Sequence, residues 1–205
     1  MTNTWKYVAG VVVVLLLAGG GYYLLQGKKS ISVVQEGGSV AVQIATSTYT
    51  GAGFSIVYPA NYMVDAAYAY DQFGPKKLIN GVKFTIPASM ATGTNLGTDS
   101  YLSVESLPHA KNCTGDIYLL ADVKAQTIPE NSVQYSVATN SGAGAGNMYE
   151  ETVYAIEGSV PCTAVRYSVH SSSIDNYPVG TVREFDRMAL LAAFDTIRQS
   201  LILSH

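Results

Sequence analysis

Charge is scarce in this chain and is nowhere concentrated. Only 12 of its 205 residues are Lys or Arg and 15 are Asp or Glu, so charged residues make up 13% of the sequence. This is about half the usual fraction. Three of the basic residues precede residue 30, which leaves the remainder with a net charge of −6. Because no basic patch is present, nucleic acid is not an expected partner.

Histidine is also scarce, and the sequence lacks the local signatures of common catalytic centres. The three histidines are His109, His170 and His205. Neither H-x-H nor H-E-x-x-H occurs, so no zinc site is predicted, and no G-x-S-x-G segment marks a serine nucleophile. We therefore predict no catalytic residue, no metal and no cofactor. An envelope hydrolase that uses His170 or His109 is kept as an alternative.

Only two cysteines are present, Cys113 and Cys162. Two are too few for a structural zinc site, and their spacing is too wide for a C-x-x-C redox motif. If this part of the chain is exported, the two thiols can pair and close a loop of about fifty residues. On that condition we predict a structural disulfide, and two free buried thiols are the alternative.

One long apolar run is present, at residues 7–25, and it contains no charge. About 20 apolar residues cross the hydrocarbon core of a bilayer, so we predict an N-terminal membrane anchor at 1–27. A cleaved signal peptide is the alternative, because small residues occupy 18–20. The lysines on the two sides of the run are nearly equal in number, so charge does not decide which side of the membrane the C-terminal part occupies. The two cysteines are the evidence for that orientation. These favour a bacterial membrane protein whose C-terminal domain lies outside the cytoplasm.

The rest of the chain divides into a polar tether at 28–48, rich in Ser and Thr, and one domain at 49–205. Alternating apolar residues predict antiparallel strands in this domain, so the fold class is α+β. The predicted strands are 54–58, 62–70, 82–86, 101–107, 133–139, 148–156 and 162–170. The glycine-rich segment 140–147 predicts a flexible hairpin connection. It is not a phosphate loop, because a strand pattern follows it.

A C-terminal amphipathic helix is the clearest predicted element. Apolar residues recur along it at every third position: Phe185, Met188, Leu191, Phe194 and Ile197. This pattern predicts one buried helix face that packs on the sheet. Thr181 and Glu184 match a capping box, which predicts that the helix begins there.

Tyrosine is abundant, with 15 copies. Four of them fall within one strand-turn-strand unit and are candidate ligand-binding aromatics: Tyr58, Tyr62, Tyr68 and Tyr70. Tyrosine surfaces bind sugars, peptides or proteins, although packing between the sheet and the helix explains the same residues. Glu150 and Glu151 are neighbours in a strand, so they point to opposite faces and are predicted to be solvated charges that do not act as a pair.

Two segments resemble those of PsbP-like domains and their bacterial relatives. Residues 53–62, GFSIVYPANY, are similar to the opening G-F-S-hydrophobic-x-Y-P-x-x-aromatic of that family, with Tyr62 where Trp is usual. Residues 194–201, FDTIRQSL, are similar to its final helix and short strand. The resemblance implies an antiparallel sheet sandwiched by helices, exported and often anchored. It also implies a binding or accessory role without a shared active site.

Together these features predict a membrane-anchored, extracytoplasmic binding or accessory domain. Its membrane contact would be residues 7–25, and a protein of the cell envelope is a candidate partner. A pilin-like surface subunit is a second alternative. It would require a short basic leader and a glutamate near the start of the apolar run, and the sequence shows neither.

Overall fold

The computed structural model describes residues 45–51 and 53–204. The chain divides into two units, Met1–Gln43 and Ile44–His205. The predicted anchor at 7–25 and most of the predicted tether lie outside the described residues. Within the part of the chain that is described, no helix has the length and apolar composition that a membrane span needs.

The described domain is built mainly from β-strands. The strands are β1 (Thr46–Gly51), β2 (Phe54–Pro59), β3 (Met63–Asp65), β4 (Ala69–Tyr70), β5 (Ile79–Thr85), β6 (Tyr101–Leu107), β7 (Gln126–Glu130), β8 (Val133–Gly144), β9 (Asn147–Ile156), β10 (Cys162–Ser172) and β11 (Ile202–Leu203). The helices are α1 (Ala88–Ala91) and α2 (Arg187–Gln199), with short 3₁₀ turns at Gly115–Tyr118 and Ile174–Asn176. These elements confirm the predicted α+β class and the C-terminal helix.

The strands form two antiparallel sheets. The larger sheet has the order β3-β5-β6-β10-β9-β8-β7, and β4 pairs with β5 beside β3. The smaller sheet has the order β1-β2-β11. Neighbouring strands of the large sheet are mostly consecutive in the chain. β10 departs furthest from chain order, because it inserts between β6 and β9 and becomes the central strand of the sheet.

One face of the large sheet packs against α2. Side chains of the central strands meet buried residues of the helix there, and Phe84, Leu102 and Phe194 are all 0% exposed. β2 joins this layer because Ser200, at the end of α2, accepts from Val57 N at 2.9 Å and donates to Val57 O at 3.1 Å. The two segments that resemble PsbP-like domains therefore lie side by side.

The opposite face of the sheet is covered only in part. Small residues of β8, β9 and β10 pack there under Tyr70 of β4 and Tyr118 of the 3₁₀ turn. Tyr118 is 0% exposed, and its hydroxyl donates to Cys162 O at 2.7 Å. Helices on both faces were expected from the resemblance. In the described residues this second face carries a 3₁₀ turn and a loop instead.

Several strand limits differ from the sequence prediction. The predicted strand at 62–70 divides into β3 and β4, and the turn between them is stabilised by Asp65 Oδ1, which accepts from Ala67 N. β1 includes Thr46–Thr48, which had been assigned to the tether, and these residues pair with β2. The segment 140–147 is largely strand, because β8 pairs with β9 as far as Gly144. Only Ala145 and Gly146, both with positive φ, form the turn.

The predicted start of the C-terminal helix is wrong. Asp186 is the N-cap residue, and its Oδ1 accepts from Ala189 N at 2.9 Å. Thr181 lies in a preceding turn and donates to Pro178 O. The cause is a tertiary contact: Arg183 N donates to Gly93 O at 3.1 Å and Arg183 O accepts from Asn95 N at 3.1 Å. These bonds hold the chain before Asp186 extended.

The buried face of α2 also differs from the predicted stripe. Met188 is 75% exposed, whereas Leu190, Phe194 and Ile197 are each at most 2% exposed. A repeat of three residues drifts around a helix of 3.6 residues per turn, so it cannot stay on one face. The observed spacing of four and then three residues follows the helix period.

The predicted disulfide is confirmed. Cys113 and Cys162 are bonded, with a Cα to Cα distance of 5.1 Å and a sequence separation of 49 residues. The bond ties the loop after β6 to the first residue of the central strand β10. Cys162 is buried beneath Tyr118. The cross-link therefore belongs to the core of the partly covered face.

Replacing both Cys113 and Cys162 by Ser should lower the free energy of unfolding by about 2–5 kcal/mol, because the unfolded chain regains the freedom of a long loop. Urea titration of the oxidised protein measures this loss. Reduced wild type serves as the control and should unfold at a similarly lowered midpoint. An unchanged midpoint in the double variant would contradict the expectation.

Candidate functional site

A buried arginine lies at the centre of the partly covered sheet face. Arg166, on β10, is 0% exposed, and Glu105, on the neighbouring strand β6, is 1% exposed. Nε and Nη2 of Arg166 donate to the two carboxylate oxygens of Glu105 at 2.8 and 2.9 Å. Ser103 adds a hydrogen bond to Glu105 at 2.7 Å. This forked geometry is the strong form of an ion pair.

The remaining contacts of Arg166 connect the sheet to its cover. Nη1 donates to Glu151 at 2.9 Å and Nη2 to Tyr118 O at 2.7 Å, while the ring centroid of Tyr70 lies 3.6 Å from the guanidinium carbon. Burial alone would lower the pKa of Arg166. The hydrogen bonds and charges of Glu105 and Glu151 outweigh burial and raise that pKa above its usual value. Arg166 is therefore a permanent cation with a structural role.

Beyond this cluster the sheet face is less covered and carries aromatic and polar side chains. The hydroxyls of Tyr68 and Tyr101 lie 2.9 Å apart, and Lys83 Nζ lies 5.0 and 5.7 Å from the two ring centroids. Burial raises the pKa of Tyr68 and also that of Tyr101. Both phenols therefore remain neutral hydrogen-bonding groups at ordinary pH.

A cluster around His170 continues the same face toward the start of β9 and the end of β10. His170 Nδ1 lies 2.7 Å from Asp99 Oδ1, and Nε2 lies 3.2 Å from Asn147 Oδ1. The imidazole stacks on Tyr149, with 4.5 Å between ring centroids and 13° between the planes. Tyr149 is 47% exposed. The ring of His170 thus supports one side of Tyr149 and leaves the other side accessible.

We call this surface the tyrosine face. Its members share one side of the large sheet and are half-buried or exposed: Tyr68, Lys83, Tyr101, Tyr149, Glu151, Ser168 and His170. Its two charged members each have a compensating neighbour, because Glu151 pairs with Arg166 and Lys83 Nζ lies 3.8 Å from Asp65 Oδ2. The surface offers flat rings, hydroxyls and few uncompensated charges, which suits a neutral polar ligand.

The four tyrosines predicted as a ligand-binding set do not lie together. Tyr58 packs on Phe84 on the helix side of the sheet, with 4.9 Å between ring centroids. Tyr62 is buried on that side as well, and its hydroxyl contacts Met90 Sδ at 3.6 Å. Tyr70 is buried against Arg166 on the opposite side. Of the four, Tyr68 alone belongs to the tyrosine face.

The two histidines of the hydrolase alternative lie in different settings. His109 is exposed in the loop after β6. His170 has a carboxylate on Nδ1, as in a catalytic triad, but its Nε2 faces an amide oxygen of Asn147 where a triad has a nucleophile. The hydroxyl of Ser172 donates to that same amide oxygen at 3.0 Å. Within the described residues, no group of three or more His, Cys, Asp or Glu could hold a metal ion.

Glu150 and Glu151 project to opposite faces as predicted, but each forms an ion pair with an arginine and is not simply a solvated charge. Glu151 accepts from Arg166, and Glu150 pairs with Arg187 of α2 at 2.6 Å. The sequence reasoning also missed the Arg166–Glu105 pair. The signal was an arginine inside the apolar strand 162–170 of a chain with few charges. Its partner, 61 residues away, could not be identified before the strand order was known.

A cleft of about 440 Å³ lies beside Glu105, between the small sheet and the start of β10. Its walls include Tyr49, Phe54 and Val160. Both carboxylate oxygens of Glu105 are bound to Arg166, so the only charged group of the lining is already paired. The cleft is therefore a concavity lined by apolar and neutral polar groups.

Comparison with known proteins does not assign a family. No protein-family model and no curated protein matches the chain. A crystal structure of a protein from Bacteroides thetaiotaomicron VPI-5482 is similar over 78% of this chain and 48% of that one, with 11% sequence identity and a TM-score of 0.41. This chain therefore spans about half the length of that protein. The fold places the described domain in the α+β class, with a disulfide.

Arg166→Met should lower the free energy of unfolding by about 3–5 kcal/mol, because Glu105 would remain buried without its partner. The matched control is Arg187→Met, which removes a partly exposed ion pair and should cost at most about 1 kcal/mol. Denaturant unfolding of both variants gives the comparison. Equal losses would show that burial of the Arg166–Glu105 pair is not the source of the effect.

The domain should lose stability above pH 10. Burial raises the pKa of Tyr62 to about 12 and also raises the pKa of Tyr70 and Tyr118. These phenols stay protonated in the folded state, while in the unfolded chain they ionise near pH 10. Their contribution is complete below pH 10 and declines as the pH rises toward 12. Unfolding curves between pH 8 and pH 12 test this, and Tyr62→Phe should reduce the decline.

Proposed function

We propose that this chain is a membrane-anchored, extracytoplasmic domain that binds a neutral polar ligand, specifically a glycan, on its tyrosine face. The disulfide supports the location, since such bonds persist in oxidising compartments. The uncharged run at 7–25 supports the anchor. The resemblance to PsbP-like domains is part of the proposal and favours a binding or accessory role in an envelope complex.

The observation that carries the proposal is the supported but accessible ring of Tyr149. His170 stacks on one side of the ring and is itself held by Asp99 and Asn147, so the ring is fixed before any ligand arrives. Preorganised aromatic rings with hydrogen-bonding neighbours bind ligands at low entropic cost. Sugars present both C–H surfaces and hydroxyls, which such a surface accommodates. Compensation of the local charges argues against a strongly charged ligand.

The envelope hydrolase remains a second candidate because of one contact, the 2.7 Å distance between His170 Nδ1 and Asp99. In that reading Asp99 would orient the imidazole and Nε2 would act as the base. Asn147 would have to move away from Nε2, since its amide oxygen occupies the position of the proton that a base abstracts. The pilin-like subunit has no comparable contact in its favour.

The glycan proposal predicts that Tyr149→Ala weakens binding of soluble, uncharged cell-wall oligosaccharides about tenfold or more, equivalent to about 1.4 kcal/mol. Titration calorimetry with the full chain measures the affinity. The matched control is Met148→Ala, which truncates an exposed neighbour on the opposite face of β9 and should bind like wild type. Equal weakening in both variants, or no binding of any neutral oligosaccharide, would contradict the proposal.

The same samples distinguish a hydrolase from a binding domain. Incubation with the oligosaccharides followed by mass spectrometry would reveal cleavage products, and His170→Asn would abolish them if His170 were the base. Binding without cleavage supports the binding domain, while cleavage that depends on His170 supports the alternative.

A further inference from the structure

The outer edge of β8 is unpaired along its second half. β7 covers only the first part, and its last pair is Gln126 with Val137. β8 continues to Gly144 and is bonded there to β9 on its inner side. Among the described residues, 138–144 therefore have a neighbouring strand on one side only, and the hairpin end of the large sheet presents a bare strand edge there.

The backbone groups on this edge can be assigned from the register. Gly144 pairs with Asn147 across a two-residue turn, so even-numbered residues of β8 exchange hydrogen bonds with β9. The odd-numbered residues Thr139, Ser141 and Ala143 direct their N–H and C=O groups outward. All three residues are exposed, and within the described part of the chain these backbone groups have no hydrogen-bond partner.

This edge lacks the usual protection against pairing. Natural sheet edges carry charges or proline, as β7 does with Pro129 and Glu130. Residues 131–149 contain neither a charge nor a proline. The edge is also held in place, because Gly146 O in the turn accepts from Ser173 N at 2.7 Å and from Asn176 Nδ2 at 2.9 Å. It is a preformed template for another strand.

We propose that this edge pairs with the same edge of a second copy of the chain, antiparallel about a twofold axis through Ser141. In this register Ser141 opposes Ser141, and Thr139 opposes Ala143. The three outward N–H groups of each copy then meet the outward C=O groups of the other, giving about six hydrogen bonds. No like charges oppose one another, because residues 131–149 are uncharged.

The length of the bare edge favours a second copy over an unrelated strand. β7 occupies the edge of β8 from Val133 as far as Val137, so any strand that pairs beyond it must turn away just after the residue opposite Thr139. In the twofold register that residue is Ala143, and the chain turns at Ala145 and Gly146. The hairpin of the second copy therefore ends where β7 begins. The same relation holds in reverse for the first copy.

Pairing would also extend the tyrosine face. Asn140 and Gly142 lie on that face of β8, opposite Glu151 and Tyr149 of β9. In the dimer the two large sheets form one continuous sheet. The twofold axis is perpendicular to this sheet, so both tyrosine faces lie on the same side of it. The proposal does not depend on what the tyrosine face binds, and it can be tested without a ligand.

The test is the mass of the full chain in detergent micelles, measured by sedimentation equilibrium over a range of concentrations. Wild type should form a dimer. Ser141→Pro removes an outward N–H without touching the bonds to β9, and Ser141→Lys places like charges on the twofold axis. Each should raise the dimer dissociation constant about tenfold or more. Met148→Lys is the control: it adds the same charge on β9, one strand away from the edge, and should leave the dimer dissociation constant unchanged.

A cross-link locates the contact independently. Hydrogen-bonded antiparallel partners have Cα atoms about 5.5 Å apart, within the range that a disulfide spans. Ser141→Cys should therefore give a covalent dimer on mild oxidation, whereas Val179→Cys, at a fully exposed position, should not. A wild-type chain that stays monomeric at every concentration overturns the proposal. So does a dimer that Ser141→Pro and Ser141→Lys leave intact, since its contact would lie elsewhere.

Discussion

The ion pair between Arg166 and Glu105 is the constraint on which the arrangement of this domain depends. Two opposite charges that are removed from water must satisfy each other, and here they lie on the central strands β10 and β6. The guanidinium also binds Tyr118 O and stacks on Tyr70, so both covering elements are placed by the same group. The covered half of the face ends where these contacts end, and the tyrosine face begins there.

A second buried arginine has the matching role on the helix side of the sheet. Arg198 of α2 is 2% exposed, and its guanidinium carbon lies 4.8 and 4.3 Å from the ring centroids of Tyr135 and Tyr154. Nε donates to the Tyr167 hydroxyl at 2.8 Å. Part of the abundance of tyrosine therefore has a structural cause. The phenol rings pack around the buried arginines, which the few carboxylates alone would not enclose.

The tyrosine face and the bare edge of β8 are consequences of one feature, the length of β8 and β9. Both strands extend past the covering turn, so on the tyrosine face no second layer of described residues lies over their outer parts. This exposes Tyr149 and the neighbouring polar groups on one face, and it leaves Thr139, Ser141 and Ala143 unpaired at the edge. Ligand binding and self-association would then use adjoining surfaces on a rigid sheet.

Local sequence patterns specify most of the secondary structure of this domain. Alternation of apolar residues predicted most strands, and the amphipathic pattern located the C-terminal helix. The thiol pair was predictable because only two cysteines exist. Tertiary structure decided the rest, because the contacts join distant segments: the bond of Arg183 to Gly93 delayed the start of α2, and the register of β10 on β6 joined Arg166 to Glu105. Strand order, unlike periodicity, is not encoded in any local window.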